Sequence, residues 1–297
     1  NIKPSYRFHN VTSSLQMFPE ASTGSDPPSG ASINYWLKEE QKEVEIIITN
    51  FDNDTIKTIK EDGVKGINRV WWDFQGESTD EIILRTKPLY AEWVSLDKNR
   101  ERKVPFKLSI MSPPGTYNVH LKLGDSIMTQ KLEVIKDPHS EGSIEDITLQ
   151  NDLMKKIYDD INVTANYINS IEIVRRQLLD LKSILSNTKK KEELILIVDS
   201  LESDFLNLEK KLVQLKETGT GQDDVRFEKM IGGKLAYLGG NVPNADFRPS
   251  DSYYEVYELL SQRLKDVGVQ FETLKDKRLK DVINTLNEKG VNMIIIE

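Results

Sequence analysis

The stretch DGVKGINRVWWDFQG places two tryptophans and an aspartate side by side, at Trp71, Trp72 and Asp73. A tryptophan ring offers a flat apolar platform on which a sugar can stack, and a carboxylic acid can protonate the oxygen of a glycosidic bond. The same triplet also fits a β-strand, in which successive side chains point to opposite faces. The two interpretations differ on whether the chain performs catalysis, and the elements around the triplet must decide between them.

Other residues that could carry chemistry form no recognisable motif. Cysteine is absent, which excludes thiolate nucleophiles and cysteine-based zinc sites. The histidines lack the spacing of a metal site; they are His9, His120 and His139. A cation site at Asp223, Asp224 and Asp246 would lack the regular ligand alternation of a calcium loop. Asp and Glu total 48, so no pair of carboxylates stands out. We therefore expect no catalytic residue, no cofactor and no metal ion in this chain.

Composition and charge limit the partners. At 297 residues the chain can hold two domains, each with its own core. Its formal charge of −8 argues against nucleic acid, because phosphate binding requires an excess of Lys and Arg. No apolar run is long enough to span a bilayer. The opening NIKPSYRFHN lacks the order of a signal peptide, so either the protein is cytosolic or a leader and more has been removed. The first residue, Asn, favours removal.

The first half of the sequence has the alternation of β-strands. In GASINYWL, Ile33, Tyr35 and Leu37 share one face, and EVEIIITNF and TYNVHLKL alternate likewise. Turns rich in Asn, Asp and Gly separate these segments. Short strands joined by turns predict an antiparallel β-sandwich of the immunoglobulin or fibronectin-III kind over residues 31–137. Residues 1–30 are predicted to be a linker from a missing upstream domain.

Strand alternation separates the two tryptophans of the opening stretch. Val70, Trp72 and Phe74 point to one face, and three apolar residues on one face indicate the core. Trp71 is left on the opposite face, where it would contact a neighbouring domain, contact the long segment 76–106 or stack on a sugar. Asp73 lies at the strand end, where a carboxylate commonly accepts backbone N–H groups and fixes a turn. Trp72 is therefore predicted to be structural.

A long segment, 76–106, follows this strand and contains Tyr90 and Trp93. It is a surface loop, an extra pair of strands or a binding loop, because long connections on a rigid scaffold commonly carry recognition. Trp71, Tyr90 and Trp93 are therefore the candidate residues for contact with a ligand or another domain.

The second half has the periodicity of helices. Apolar residues recur at intervals of three and four along 154–185, 194–215 and 253–274. Three such stripes close a bundle, and their lengths predict an elongated one. Residues 138–297 are therefore predicted to form a bundle of three long helices plus short ones. The fold class is then an all-β domain followed by an all-α domain. The stripes do not distinguish packing within one chain from packing between chains.

Four motifs, GASINYWL, VEIIITNFDNDTIKTI, GINRVWWD and PPGTYNVHLKLG, occur in this order. Their order resembles the immunoglobulin-like module that follows the β-propeller in large bacterial secreted proteins. These are the sortilin-like proteins with BNR or Asp-box repeats, often described as glycosyl hydrolases or exo-sialidase-like. The motifs are also similar to the immunoglobulin-like domain of flagellar hook capping proteins. The matching positions are Gly66, Asn68, Trp72, Asp73, Pro114, Gly115 and Tyr117. The stretches KDPH and IEIVRRQLLDL extend the resemblance to the propeller proteins over nearly the whole chain.

The sequence departs from that class in one respect, because it has no Asp-box turn of the form Ser-x-Asp-x-Gly-x-Thr-Trp. The resemblance therefore implies a non-catalytic C-terminal accessory region that packs on or presents the upstream β-propeller of the same polypeptide. It also implies an extracellular, periplasmic or outer-surface location. Whether the parent protein hydrolyses glycosides stays open. Two alternatives stay open as well: a carbohydrate-binding sandwich, and a helical module for oligomerisation or a protein partner.

Overall fold

The structure is a computed structural model that describes residues 2–9, 29–89, 102–104, 106–186, 192–218 and 222–291. Strands occupy mainly the first half of these residues and helices the second, which gives the mixed α and β content expected from the two periodicities. The strands are β1 (Ser5–Arg7), β2 (Ala31–Leu37), β3 (Gln41–Thr49), β4 (Thr55–Gly63), β5 (Gly66–Trp72), β6 (Ile82–Leu84), β7 (Arg102–Val104), β8 (Gly115–Leu123) and β9 (Ser126–Lys136).

Three long helices follow, as the apolar stripes predicted: α1 (Ile144–Ser186), α2 (Glu192–Leu212) and α5 (Asp251–Thr273). The shorter helices are α3 (Asp223–Arg226), α4 (Ile231–Asn241) and α6 (Lys280–Glu288). A π-helical turn, Leu274–Leu279, joins α5 to α6. The start of α1 is fixed by a reciprocal cap, because Ser143 Oγ accepts the N–H of Asp146 at 3.0 Å and Asp146 Oδ2 accepts the N–H of Ser143 at 3.1 Å.

The chain forms two compact units. Unit 1 comprises Asn1–Ser78, Ser109–Lys155 and Asn241–Ser250, and unit 2 comprises Thr79–Leu108, Lys156–Gly240 and Asp251–Glu297. The boundaries therefore differ from the predicted division into 31–137 and 138–297, because segments distant in sequence group together. Residues 5–7, predicted to lie in a linker, form β1 and pair with β9.

Unit 1 contains a five-stranded sheet in the order β1-β9-β8-β3-β4 and a two-stranded sheet of β2 and β5. β1 runs parallel to β9, and the other neighbours are antiparallel. One hydrophobic core takes side chains from both sheets, which gives each sheet one buried face. Its buried members are Ala31, Ile33, Ile46, Ile48, Val70, Trp72, Phe74, Tyr117, Val119, Leu132 and Val134.

The segment between α4 and α5 belongs to unit 1 through contacts with the first turns of α1. Gln150 is buried and donates from Nε2 to the carbonyls of Val242 at 3.0 Å and Ala245 at 2.6 Å. Buried backbone carbonyls need such partners, so one glutamine holds the returning chain. Sequence periodicity reports apolar positions and gave no signal of this contact.

Unit 2 contains the antiparallel pair β6–β7, which lies within the segment predicted as a loop, a strand pair or a binding loop. The backbone at and just before β6 is tied to α1 by asparagine side chains. The N–H of Asp80 donates to Asn162 Oδ1, and the N–H of Ile83 donates to Asn169 Oδ1, both at 2.8 Å. The helix thus supplies acceptors that a neighbouring strand would otherwise supply. The apolar stripes of the long helices are buried, as predicted, along α1, along α2 and over 260–271 of α5.

Candidate functional site

The outward side of the β2–β5 sheet carries two exposed tryptophans. Cross-strand neighbours on this side are Ser32 with Trp71, Asn34 with Arg69, and Trp36 with Ile67. We call these six residues the tryptophan face. Trp36 is 64% exposed and Trp71 is 39% exposed. Trp36 lies opposite Ile67, which is four positions from Trp71 along β5, so the two tryptophans are offset by about 14 Å along the strands.

A polar pair lies between the two tryptophans. Arg69 donates from Nε to Asn34 Oδ1 at 2.7 Å, across the ladder. Both side chains are exposed, so the guanidinium keeps donors for a further acceptor. The tryptophan face therefore combines two apolar rings with a central, positively charged donor group on a paired sheet. Aromatic and arginine side chains of this kind are enriched at protein interfaces.

A cleft of about 530 Å³ opens beside the tryptophan face. One wall is the run 32–36 of β2 together with Arg69 of β5, and the other wall comes from β8 and β9. We call it the β2 cleft. Its volume is in the range of binding pockets for small ligands or short peptide segments.

Trp72 and Asp73 have structural roles. Trp72 is 1% exposed, and its ring packs edge-on against Phe74 and Tyr117, with centroid distances of 5.4 and 5.2 Å. Its Nε1 donates to the carbonyl of Gln75 at 3.0 Å. Asp73 Oδ1 accepts the N–H of Gln75 at 3.0 Å, within the turn that ends the strand. The predicted alternation of 70–74 is confirmed, and the carboxylate fixes the turn.

The remaining motif residues shape two turns. Gly66 has a φ of +104°, a conformation that favours glycine. Asn68 Oδ1 accepts the N–H of Val64 at 2.9 Å, and Asn68 Nδ2 donates to the carbonyl of Val64 at 2.8 Å. These two bonds close the β4–β5 turn.

The Pro114-Gly115 turn precedes β8. Tyr117 donates its hydroxyl to the carbonyl of Pro113 at 2.6 Å, and burial raises the pKa of Tyr117 to about 12. This tyrosine therefore stays neutral as a hydrogen-bond donor within the core.

The other two candidate contact residues, Tyr90 and Trp93, lie outside the described residues. That they form one contact surface with Trp71 therefore stays a prediction. Sequence reasoning missed Trp36, although the signal was present: the alternation that sends Ile33, Tyr35 and Leu37 inward sends Trp36 outward. The outward position of both tryptophans thus follows from the alternation of side chains along a strand.

Asp246 lies in a buried ion cluster in unit 1. Its carboxylate accepts from Arg7 Nη1 and lies 2.7 Å from His9 Nε2. Arg7 also donates from Nε to the carbonyl of Ser112 at 3.0 Å. Burial acts to raise the pKa of Asp246, but His9 and Arg7 outweigh it and hold the pKa below its usual range. The cluster ties β1 to the 241–250 segment. Asp246, which was considered as a cation ligand, therefore bonds Arg7 and His9 in this cluster.

A second buried cluster lies in unit 2 around Arg175. Its Nη1 donates to Glu172 Oε1 at 3.0 Å and to Glu209 Oε2 at 2.5 Å, and its Nη2 donates to Glu202 at 2.8 Å. Thr86 Oγ1 donates to Glu172 at 2.7 Å. These five residues are the Arg175 cluster. Burial raises the pKa of Glu209 well above its usual range, and the neighbouring charge of Glu172 raises it further.

Two carboxyl groups beside an arginine resemble an acid–base pair, but their surroundings differ from those of an active site. Glu172 and Glu209 have no exposed surface, and neither is among the residues that line the β2 cleft. A catalytic acid must reach a substrate. The Arg175 cluster joins α1, α2 and the segment after β6.

Among the described residues, no group of three or more His, Asp or Glu side chains is placed to hold a metal ion. No helix within the described ranges combines the length and apolarity that a membrane span requires. Comparison of the chain with protein-family models, with characterised proteins and with solved structures gave no match in any of the three. The tryptophan face is therefore the candidate functional site on its geometry alone.

Proposed function

We propose that this chain is a non-catalytic interaction region of a larger exported polypeptide, and that the tryptophan face docks on the β-propeller that precedes it. The observation that carries the proposal is the exposure of Trp36 and Trp71 on either side of Arg69. Large aromatics and arginine dominate the energetics of protein interfaces when a partner removes them from water. The propeller partner and the exported location come from the resemblance of the sequence motifs to the BNR-repeat, sortilin-like class.

An immunoglobulin-like sandwich is the fold that we propose for unit 1. Two features support it. The two sheets share one core, as layers of a sandwich do. The hydroxyl of Tyr117, near the start of β8, reaches back to the carbonyl of Pro113, a contact that resembles the tyrosine corner of immunoglobulin-like domains. The helices would then follow the sandwich as an accessory bundle.

The absence of catalysis in this chain is part of the proposal. Its support is that the carboxylates with the most unusual surroundings, Glu209 and Asp246, are buried and bonded to arginine. We expect no turnover of aryl glycosides or sialosides by the purified chain. Hydrolysis that persists through purification and disappears in a single Asp or Glu variant would contradict it.

Docking is tested with two separately expressed parts of one open reading frame, this chain and the polypeptide that precedes it. We expect them to bind in isothermal titration calorimetry, and Trp36→Ala and Trp71→Ala each to weaken binding by about 2 kcal/mol, or roughly thirtyfold. Phe51→Ala is the matched control, because Phe51 is an exposed aromatic of unit 1 on the β3–β4 turn and is not part of the tryptophan face.

Two outcomes would overturn the docking proposal. In the first, the two parts do not associate at micromolar concentration, or the open reading frame contains no upstream domain. In the second, they associate and the tryptophan variants bind as tightly as the Phe51→Ala control. The second outcome would place the interface elsewhere on the chain.

A carbohydrate-binding module is the second candidate, because the tryptophan face sets two rings on either side of a hydrogen-bonding pair. Each ring could stack on a sugar, and Arg69 with Asn34 could bond its hydroxyl groups. A glycan panel tests this candidate. It is supported by binding that Trp71→Ala abolishes, and an empty panel at high protein concentration would remove it.

A further inference from the structure

One edge of β2 has no neighbouring strand in the described part of the chain. β2 pairs with β5 alone, over the whole of Ala31–Leu37. In an antiparallel pair, alternate residues direct their N–H and C=O groups away from the partner. The outer edge of β2 therefore presents a row of backbone donors and acceptors. Such an edge is a template for a further strand.

The free edge of β2 faces the β2 cleft. Five consecutive residues, 32–36, line the cleft. Side chains alternate between the two faces of a strand, so a consecutive run shows that the backbone edge itself borders the space. The opposite wall carries side chains of the larger sheet, namely Val119, Leu121, Met128 and Gln130. A strand laid in this cleft would extend the two-stranded sheet and cover the open end of the core.

The floor of the β2 cleft is incompletely buried. Ile2, Tyr35 and Leu121 all line the cleft and pack against the hydrophobic core, but each is only partly buried. Covering this apolar surface would be favourable, because it removes the surface from water. An added strand should therefore direct apolar side chains inward at every second position.

The charge of the cleft indicates what the outward positions of that strand should carry. Lys3 and Arg69 line the cleft, and its described lining contains no Asp or Glu. Arg69 bonds the neutral amide of Asn34, so its charge is available to an acid. Acidic side chains at the alternate positions of an added strand would complement these two cations.

We propose that the β2 cleft binds an extended strand of a partner polypeptide, in which apolar residues alternate with acidic ones. The strand pairs with the free edge of β2 by β-augmentation, so main-chain hydrogen bonds supply affinity and the alternating side chains supply specificity. The proposal goes beyond docking of the tryptophan face, because it concerns the interior of the cleft and a backbone edge.

The test uses the full chain and blocked synthetic peptides of seven residues, the length of β2. In the first peptide Glu and Val alternate, with Glu at both ends and Val at the centre. In the second, Pro replaces the central Val, which removes an N–H and is disfavoured inside a paired strand. In the third, Lys replaces each Glu. Binding is followed by tryptophan fluorescence, and hydrogen exchange is followed at the amides of 32–36.

We expect the Val/Glu peptide to bind and to slow exchange at alternate amides of β2 by at least about tenfold. The Pro peptide should bind about tenfold more weakly, the equivalent of one or two lost hydrogen bonds. Lys3→Glu should weaken binding of the Val/Glu peptide by about fivefold and strengthen binding of the Val/Lys peptide. Lys131→Glu is the matched control, because Lys131 is an exposed lysine on β9 that does not line the cleft.

Three outcomes would overturn the proposal. One is no binding of the Val/Glu peptide at about 1 mM. Another is binding without slower exchange at 32–36, and the last is equal binding of the Pro peptide. Failure here is distinguishable from failure of the docking proposal, because docking is scored by affinity for the upstream domain and strand addition by amide protection on β2.

Discussion

The tryptophan face of unit 1 and the Arg175 cluster of unit 2 reverse the usual places of apolar and charged side chains. Trp36 and Trp71 lie in water, while Glu172, Arg175 and Glu209 are buried. Buried charges persist only when they are paired and hydrogen-bonded, and exposed aromatics on one sheet face indicate an interaction surface. The buried charged groups therefore join elements of unit 2, and the exposed tryptophans form the contact surface that we propose.

The Arg175 cluster gives the largest expected effect. Arg175→Ala leaves Glu172 and Glu202 without their cation, and removing one partner of a buried ion pair costs about 3–5 kcal/mol in the free energy of unfolding. Urea unfolding followed by far-UV circular dichroism measures the loss, since this signal reports mainly helices.

Arg278→Ala is the matched control for Arg175→Ala. Arg278 is about half exposed and pairs with Asp204 at 3.4 Å, so its removal should cost less than about 1 kcal/mol. Equal costs for the two variants would show that the Arg175 cluster does not hold unit 2 together.

The two adjacent tryptophans provide the same contrast within one strand. Trp72→Ala should lower the free energy of unfolding by about 3–5 kcal/mol, because it removes a large buried side chain from the core. Trp71→Ala should change it by less than about 1 kcal/mol, because surface substitutions rarely cost more. Amide hydrogen exchange in β3 and β8 measures the change in the free energy of unfolding for both variants. Comparable losses would contradict the assignment of Trp71 to a contact surface.

Strand alternation predicted the outward position of Arg69 and Trp71 on β5, but the sequence analysis missed Trp36 on β2 and the Arg175 cluster. Alternation along GINRVWWD fixes which side of β5 each residue occupies, so Trp71 and Trp72 could be separated before the structure was known. Periodicity concerns neighbours in sequence, whereas the cluster joins Thr86, Glu172 and Glu209 from three distant segments. The apolar stripes on α1 and α2 gave no sign that charged residues beside them are also buried.

The same limitation explains why the unit boundaries differed from the predicted ones. Asn162 and Asn169 bond the backbone around β6, which groups 79–108 with the helices. Arg7 reaches Asp246 across 239 positions of sequence. The two asparagines lie on α1, a helix that was predicted, whereas Arg7 lies on β1, a strand in a region that was predicted to be a linker. Sequence periodicity can indicate the type of an element, but only the folded chain shows which polar side chain meets which backbone group.

The smallest effect concerns pH and the proton on Glu209. Burial, reinforced by the charge of Glu172, raises the pKa of Glu209 well above its usual range. In the unfolded chain this glutamate loses its proton near pH 4.5, so above that pH the folded state binds more protons than the unfolded state. Stability from this group is therefore full below about pH 4.5 and falls as pH rises through the folded pKa. The slope is at most about 1.4 kcal/mol per pH unit.

Glu209→Gln isolates this contribution, because glutamine is neutral at every pH in the window and keeps nearly the same shape. We expect the free energy of unfolding of the wild type to fall relative to that of this variant as pH rises. Glu258→Gln, which removes an exposed carboxylate on α5, controls for the loss of one negative charge and should follow the wild-type profile. A Glu209→Gln profile parallel to the wild type would mean that Glu209 is ionised in the folded chain. The Arg175 cluster would then be an ordinary set of ion pairs, and the contrast with the tryptophan face would rest on burial alone.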